Sequence, residues 1–495
     1  MKNLRWISWR HNSSSLPTNF PQQELRCLIL SGGLQKQLWK GYKYLPSLRM
    51  IKLHCLKNLN MTPDFGGLPN LERFMLSRCP HLEEIHPSIG DLERLIFLVI
   101  ASCDNLKMLP PIKKLENLSI SECNKLSLVR KKVASSDLSH NLEHLTNFFV
   151  TVFPCCSENV YDDELSMDVE YLEEPLLLYN SIKKQTGLHF ISRGLRKLIL
   201  NDCHLGDEDM ESDVWDLPNL QELNLSQNDF SRLDFTILKL PWLKWLDVSF
   251  CYSLLKLSNL PSSIAVLRAD DCYLLETAGN ISNCKWLWKA SLMGKNEIDG
   301  DIILESMLQG NAIEDHFISL NLSGHYIPKG FVGKLVKGDT FTLQLPHNWY
   351  DNFCGFLVCN ANSYPAPCVK ISIKQELDKD SQYEVWSVSN EATRRHIKST
   401  YIGYVSFKSL RRHTSWSSSD DCDTIFFSLC NKYKTSSKSE SMFLAKLIPK
   451  GDVMQTTEVA TDCLEFYEEE REYGKTFTIQ HHSKSSIKII WDPLN

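Results

Sequence analysis

The residues whose types could do acid-base or metal chemistry are His481-His482, the acidic run Glu468 to Glu470 and the pair Asp420-Asp421. None stands at a spacing that gives a nucleophile its base or a metal its further ligands. Gly474-Lys475-Thr476 has the ending of a phosphate-binding loop, but the earlier glycine position is Glu469 and the triplet opens a strand-like run rather than a helix. Cysteine is the richer signal, with 17 in the chain. Cys79, Cys103, Cys123, Cys203, Cys251 and Cys272 each fall at one fixed place in a recurring unit, and Asn228 and Asn12 take that place in two others. A small side chain there can face an inner turn, where Asn bonds neighbouring backbone groups and a thiol does so weakly. One cysteine per unit, without close pairs, predicts buried reduced thiols rather than a metal site. Cys155-Cys156 is an isolated vicinal pair to which no redox chemistry is assigned. The chain is therefore read as a binding protein, not an enzyme, with no cofactor.

The element that must position these side chains is the cadence Leu-x-x-Leu-x-Leu-x-x-Cys-x-x-Leu. It runs through Leu71, Phe74, Leu76, Cys79 and Leu82, again from Leu95 to Leu106, and again from Leu115 to Leu126. Apolar residues alternate where a half-buried strand needs them, and the cysteine follows where the chain turns away. Further starts at Leu4, Leu25, Leu48, Leu195, Leu220, Leu243 and Ile264 leave intervals of 21, 23, 23, 24, 20, 80, 25, 23 and 21 residues. The eight short intervals match the roughly 20–29-residue period of leucine-rich repeats.

At 495 residues the chain exceeds the roughly 250–300 at which single cores stop growing, so at least two units are expected. A formal charge of −6 gives no reason to expect nucleic acid or an anionic membrane as partner. Met1-Lys2 leads straight into a repeat without an apolar secretory stretch, which favours a cytoplasmic or nuclear location.

The expected organisation is a solenoid over 1–290, a connector over 291–316 and a β-sandwich over 317–495. The first repeat lacks an N-terminal cap, as if cut from something longer. Between Leu126 and Leu195 the cadence fails, and 127–190 is read as a mixture of projecting island loop and eroded repeats with its acidic part exposed. Trp286 and Trp288 are expected to close the end of the solenoid core, and Ile302, Ile303, Met307 and Leu308 stand at helical spacing in the connector. Beyond it, β-rich runs near 340–345, 353–359, 369–373, 402–407, 424–430, 442–447, 476–479 and 487–491 are separated by turn residues.

Several segments resemble a known class. Leu68-Pro69-Asn70-Leu71-Glu72, Glu84-Ile85-His86-Pro87-Ser88-Ile89-Gly90 and the Leu-Pro-Ser-Ser-Ile of Leu260 to Ile264 are similar to the repeats of plant intracellular immune receptors of the TIR-NB-LRR class. Ile327-Pro328, Leu343-Gln344-Leu345-Pro346, Asn348-Trp349-Tyr350 and Gly355-Phe356 resemble the jelly-roll/Ig-like domain (C-JID) that follows those repeats. The resemblance implies recognition of a pathogen effector or of a guarded host protein. In that class NAD cleavage belongs to a TIR domain and nucleotide switching to a P-loop module, and neither motif is found here. The other reading open at this level is a stand-alone scaffold, acting as adaptor or decoy for full-length receptors, or an inactive fragment.

Binding is then expected on the concave face, to which the third, fifth and seventh positions of each repeat point. Stacking puts Arg73, Met75 and Ser77 beside Phe97, Val99 and Ala101, then beside Asn117, Ser119 and Ser121. Later repeats add Lys197, Ile199, Asn201, Glu222, Asn224, Trp245, Asp247, Val266, Arg268 and Asp270. Phe97, Val99 and Met75 form an apolar cluster of the kind that marks a partner site, and Trp245 is a second candidate anchor. The alternative is that 127–190 or the C-terminal region folds over them.

Overall fold

The computed structural model describes residues 5–10, 23–39, 41–126, 193–210, 215, 217–235, 240–294, 299–309, 317–324, 336–337, 340–344, 349–363, 368–373, 381–385, 399–408, 424–430, 442–450, 464–471, 474–481 and 489–490. Asn12, Cys155-Cys156, Asp420-Asp421, His482 and the segment 127–190 lie outside them.

Each cadence forms one short strand. In chain order these are β1 (Trp6–Arg10), β2 (Cys27–Ser31), β3 (Met50–His54), β4 (Arg73–Ser77), β5 (Phe97–Ala101), β6 (Asn117–Ser121), β7 (Lys197–Asn201) and β8 (Glu222–Asn224). On the convex side β9 (Arg232–Asp234) pairs with β11 (Lys256–Ser258), while β10 (Trp245–Asp247), β12 (Val266–Arg268) and β13 (Lys289–Leu292) continue the main sheet. These main-sheet strands, β1 to β8, β10, β12 and β13, pair in parallel. Inward residues such as Leu71, Phe74, Leu76, Leu98 and Ile100 are fully buried, and outward ones in β3, β5, β6 and β7 are half-buried. That alternation is the strand period carried into a solenoid core.

The turn after each strand is equally regular. Cys55, Arg78, Ser102, Glu122, Asp202, Gln227, Phe250 and Asp271 all have φ between 51° and 62°, and Gly32 and Gly294 occupy the same place. A residue in the left-handed region there swings the chain inward and delivers the next side chain to the interior. At Gly294 the requirement is strict, because an added Cβ would lie 3.0 Å from Asp271 Cα. After Cys55 that side chain is Leu56; after Arg78, Ser102, Glu122, Asp202, Gln227, Phe250 and Asp271 it is the cysteine or asparagine of the cadence. The thiols of Cys123, Cys251 and Cys272 donate to the carbonyls of Ser121, Leu225 and Val248 at 3.2, 3.2 and 3.1 Å. Asn228 does more: its Nδ2 donates to Leu200 O and Leu225 O at 2.7 and 2.8 Å. Its Oδ1 accepts from the N–H groups of Cys203 and Leu205, both at 3.1 Å. Burial pushes the Cys123, Cys203 and Cys251 thiols up to about 12, which keeps them neutral.

Two features go beyond the sequence reading. First, β6 pairs directly with β7, Asn117 opposite Lys197 and Ser121 opposite Asn201. Second, parallel pairing runs past residue 290. Leu287, Ala290 and Leu292 are an inward row, and β13 pairs with a further parallel strand, β14 (Phe317–Ser323), which contributes buried Leu320 and Leu322. The helix Gly300–Gln309 lies between those two strands in sequence, burying Ile303, Leu304 and Met307.

Strand β14 is where the direction of pairing changes. Its other edge pairs antiparallel with β20 (Ser399–Ser406), and the same sheet continues through β17 (Phe353–Ser363), β22 (Met442–Pro449) and β15 (Val336–Lys337). A second sheet holds β16 (Thr340–Gln344), β21 (Thr424–Cys430), β18 (Cys368–Ile373) and β19 (Ser381–Val385). A third holds β23 (Leu464–Arg471), β24 (Gly474–His481) and β25 (Ile489–Ile490), so the run Glu468 to Glu470 and the Gly-Lys-Thr triplet face each other in a hairpin. All eight residues of β20 are buried, which requires cover on both faces of that strand. One hydrophobic cluster extends from Leu25 through the repeats to Leu357, Ile402 and Tyr404. The solenoid thus has no open edge at its C-terminal end among the described strands. No described helix is long and apolar enough to cross a membrane.

Candidate functional site

The concave face divides into two stretches with different chemistry. On β4 and β5 the register sets Arg73 beside Phe97, Met75 beside Val99 and Ser77 beside Ala101. The predicted juxtaposition of Arg73, Met75, Phe97 and Val99 is therefore what the strands produce. Their exposure is lower than expected. Phe97, Val99 and Arg73 are half-buried, and Met75 is only 7% exposed, in the middle of a floor flanked by Lys52 on β3 and Val99 on β5.

Strand β3 contributes residues that the sequence reading did not single out. Met50, Lys52 and His54 point to the concave side opposite Arg73, Met75 and Ser77. His54 lies between the Ser77 hydroxyl, 2.8 Å from Nδ1, and the Cys55 thiol, 3.2 Å from Nε2. Burial, with the nearby charges of Arg78 and Lys52, holds its imidazole below the usual histidine range. The same ruler that starts at Leu48 would have found these positions.

Further along, Lys197 of β7 meets Glu222 of β8 at 2.7 Å in a largely shielded ion pair. Lys197 is thus engaged within the protein. Beyond it the face closes. Trp245 is 9% exposed and packs with Val266 and Trp288. Burying an indole against two apolar neighbours outweighs leaving it as a free anchor, so Trp245 is a core residue and not a surface contact. Arg268, predicted on the surface, is 4% exposed, with its guanidinium 3.7 Å from Asp247 and 4.0 Å from Asp270.

That charged group is built into the strand ends. Asp247 Oδ1 accepts from the Ser249 N–H at 2.9 Å. Asp270 Oδ1 accepts from the Ser291 hydroxyl at 2.6 Å and the Met293 N–H at 3.0 Å. Burial raises the Asp270 carboxyl above its ordinary value, and Arg268 and the two donors oppose that rise. Paired and hydrogen-bonded, these carboxylates hold the three neighbouring strands β10, β12 and β13 together rather than facing a ligand. Trp286 remains partly exposed while Trp288 is buried with Trp245, so the two aromatics play different parts.

With this geometry in view, comparison with known proteins places the chain. Residues 322–472 match the C-JID domain. TMV resistance protein N of Nicotiana glutinosa is 26% identical, the alignment covering 73% of this chain and 39% of that protein. Disease resistance protein RPS4 of Arabidopsis thaliana is 23% identical, covering 92% of this chain and 42% of that protein. The chain is homologous to plant TIR-NB-LRR disease resistance proteins. It spans about two fifths of the length of these relatives. Among solved structures, the leucine-rich-repeat domain of the type III effector XopL is similar at 19% identity with a TM-score of 0.33, covering 51% of this chain and 71% of that one.

The C-JID match begins at the end of β14, where parallel pairing gives way to antiparallel. In this leucine-rich-repeat and C-JID region the repeats and the C-terminal strands share one sheet, so the concave face is positioned by both.

Proposed function

We propose that the chain is the recognition region of a plant intracellular immune receptor, acting by protein–protein contact and not by catalysis. In this reading the concave face over β3 to β6 binds a pathogen effector or a guarded host protein, in the cytoplasm or the nucleus. NAD cleavage and nucleotide switching would reside in TIR and nucleotide-binding modules of a longer receptor, in keeping with the share of its relatives that the chain covers.

The observation that carries the reading is the apolar floor of half-buried Met50, Phe97 and Val99 around buried Met75, set on paired strands of a region homologous to disease resistance proteins. Aromatic and methionine side chains on such a floor make good anchors, because neighbouring groups already exclude water around them.

The test is proximity labelling in leaf tissue with residues 1–495 and with the Phe97→Asp variant, both shown to be folded by circular dichroism. A defined subset of labelled proteins should disappear with the variant. Identical labelled sets from two folded proteins would contradict the reading.

A further inference from the structure

The concave rim beside the apolar floor carries a thiol set apart from those of the cadence. Cys79 and Cys103 are buried and donate to the backbone carbonyls of Ser77 and Ala101, both at 3.5 Å. Cys27, on the concave side of β2, is also buried, and burial pushes its thiol up to about 11. Cys55 follows neither pattern. It occupies the left-handed turn after β3, at φ 52°, so it stays on the rim while Leu56 takes the interior place. Its N–H donates to Ser77 O at 2.9 Å, which fixes the turn against β4. Its Sγ lies 3.2 Å from His54 Nε2, and His54 Nδ1 lies 2.8 Å from Ser77 Oγ. With the ring proton on Nδ1 and donated to the Ser77 hydroxyl, Nε2 accepts the thiol proton. Nucleophile, base and orienting group thus stand in sequence, all three half-buried on the concave side. Burial first, then the nearby charge of Arg78, holds the imidazole below its usual range, so it is uncharged and able to take a proton at neutral pH.

We infer that Cys55 is a covalent site for apolar α,β-unsaturated carbonyl compounds. In the addition, Cys55 Sγ bonds to the β-carbon while the π pair moves onto the carbonyl oxygen as an enolate. The thiol proton goes to His54 Nε2 and from there to the α-carbon, leaving a saturated carbonyl thioether. Nothing leaves, and no oxidant or reductant is consumed. The apolar class follows from what lies beside the thiol. Met75 precedes Ser77 by two residues on the same side of β4, roughly 7 Å along the strand, and Val99 stands beside it on β5. A hydrocarbon tail on the adduct reaches that floor and leaves water there. Ser77 acts through His54 and is a positioning residue.

The experiment exposes residues 1–495 to the enone nonenone and to its short counterpart, methyl vinyl ketone, and follows adducts on each cysteine by peptide mass spectrometry. Nonenone should label Cys55 at least roughly tenfold faster than Cys27, Cys79 or Cys103. The preference of Cys55 for nonenone over methyl vinyl ketone should exceed that of glutathione in the same buffer. His54→Gln, which keeps a polar group beside Ser77 but supplies no base, should slow Cys55 roughly tenfold at neutral pH, and its rate should climb more steeply with pH than that of the unsubstituted chain. Circular dichroism checks folding, and if His54→Gln does not fold, Ser77→Ala should slow Cys55 by a smaller factor. Unchanged rates in the folded variants overturn the dyad, as does faster labelling of a buried cysteine. A tail preference no greater than that of glutathione overturns the apolar class. Hydrogen peroxide that consumes the Cys55 thiol faster than nonenone at equal concentration would assign the site to oxidants and overturn the inference. None of these readouts depends on the protein partner proposed above.

Discussion

The two ends of the concave face are made by the same cadence and come out opposite. On β3 to β5 the outward residues are Met, Lys, His, Arg, Phe and Val, half-buried for the most part and without a carboxylate. On β10 to β13 they are Trp245, Asp247, Val266, Arg268 and Ser291, all buried, and the half-buried Lys289, with Arg268 facing Asp247 and Asp270. A buried charge persists only where it is paired and hydrogen-bonded, so the second end is committed to holding the solenoid and the C-terminal sheet in one body. The first end is the one to which the proposed function assigns a partner. Which outward positions are buried for stability is decided by cover, not by the repeat.

The largest effect is expected at the buried charge group. Arg268→Ala should cost about 3–5 kcal/mol of unfolding free energy, read by urea titration, because Asp247 and Asp270 would remain buried without their cation. Arg73→Ala at the other end should cost no more than about 1 kcal/mol. Trp245→Ala should follow, at about 3 kcal/mol or more, from the cavity left against Val266 and Trp288. Phe97→Ala, half-buried, should cost distinctly less. Asn228→Ala should cost about 2–3 kcal/mol, since it strips partners from two carbonyls and two N–H groups, and Asn228→Cys should recover part of it.

The mildest test is by pH. The thiols of Cys123, Cys203 and Cys251 sit near 12 when folded against an ordinary 9.0. Between those values the unfolded chain holds fewer protons than the folded one, so stability is fully present below about 9 and falls as pH rises towards 12. A melting temperature that stayed level across that window would show the thiols to be less buried than described.

Much of this was legible in the sequence, and the omissions have physical causes. The spacing Leu71-Phe74-Leu76-Cys79 implies a strand followed by a turn with a small interior side chain, and Cys79, Cys103 and Cys123 take up that role. It also placed Arg73 and Met75 beside Phe97 and Val99, in the register found. The rows from Leu287 and Phe317 escaped notice because Ala290 weakens the first, and a helix stretches the second interval to about 30 residues. The direct β6–β7 pairing could not be read either, since a failed cadence looks alike whether repeats have eroded or a segment leaves the ladder. Periodicity says which way Trp245 and Arg268 point, but not that the chain covers them. Only contacts distant in sequence, such as Trp245 with Trp288, decide that.

The most direct measurement of the central claim is photocrosslinking in plant cells, with benzoylphenylalanine placed at Phe97 and, separately, at Lys289 on β13. A protein crosslink is expected from position 97 and only intramolecular products from position 289. Partner crosslinks from 289 with none from 97 would contradict it.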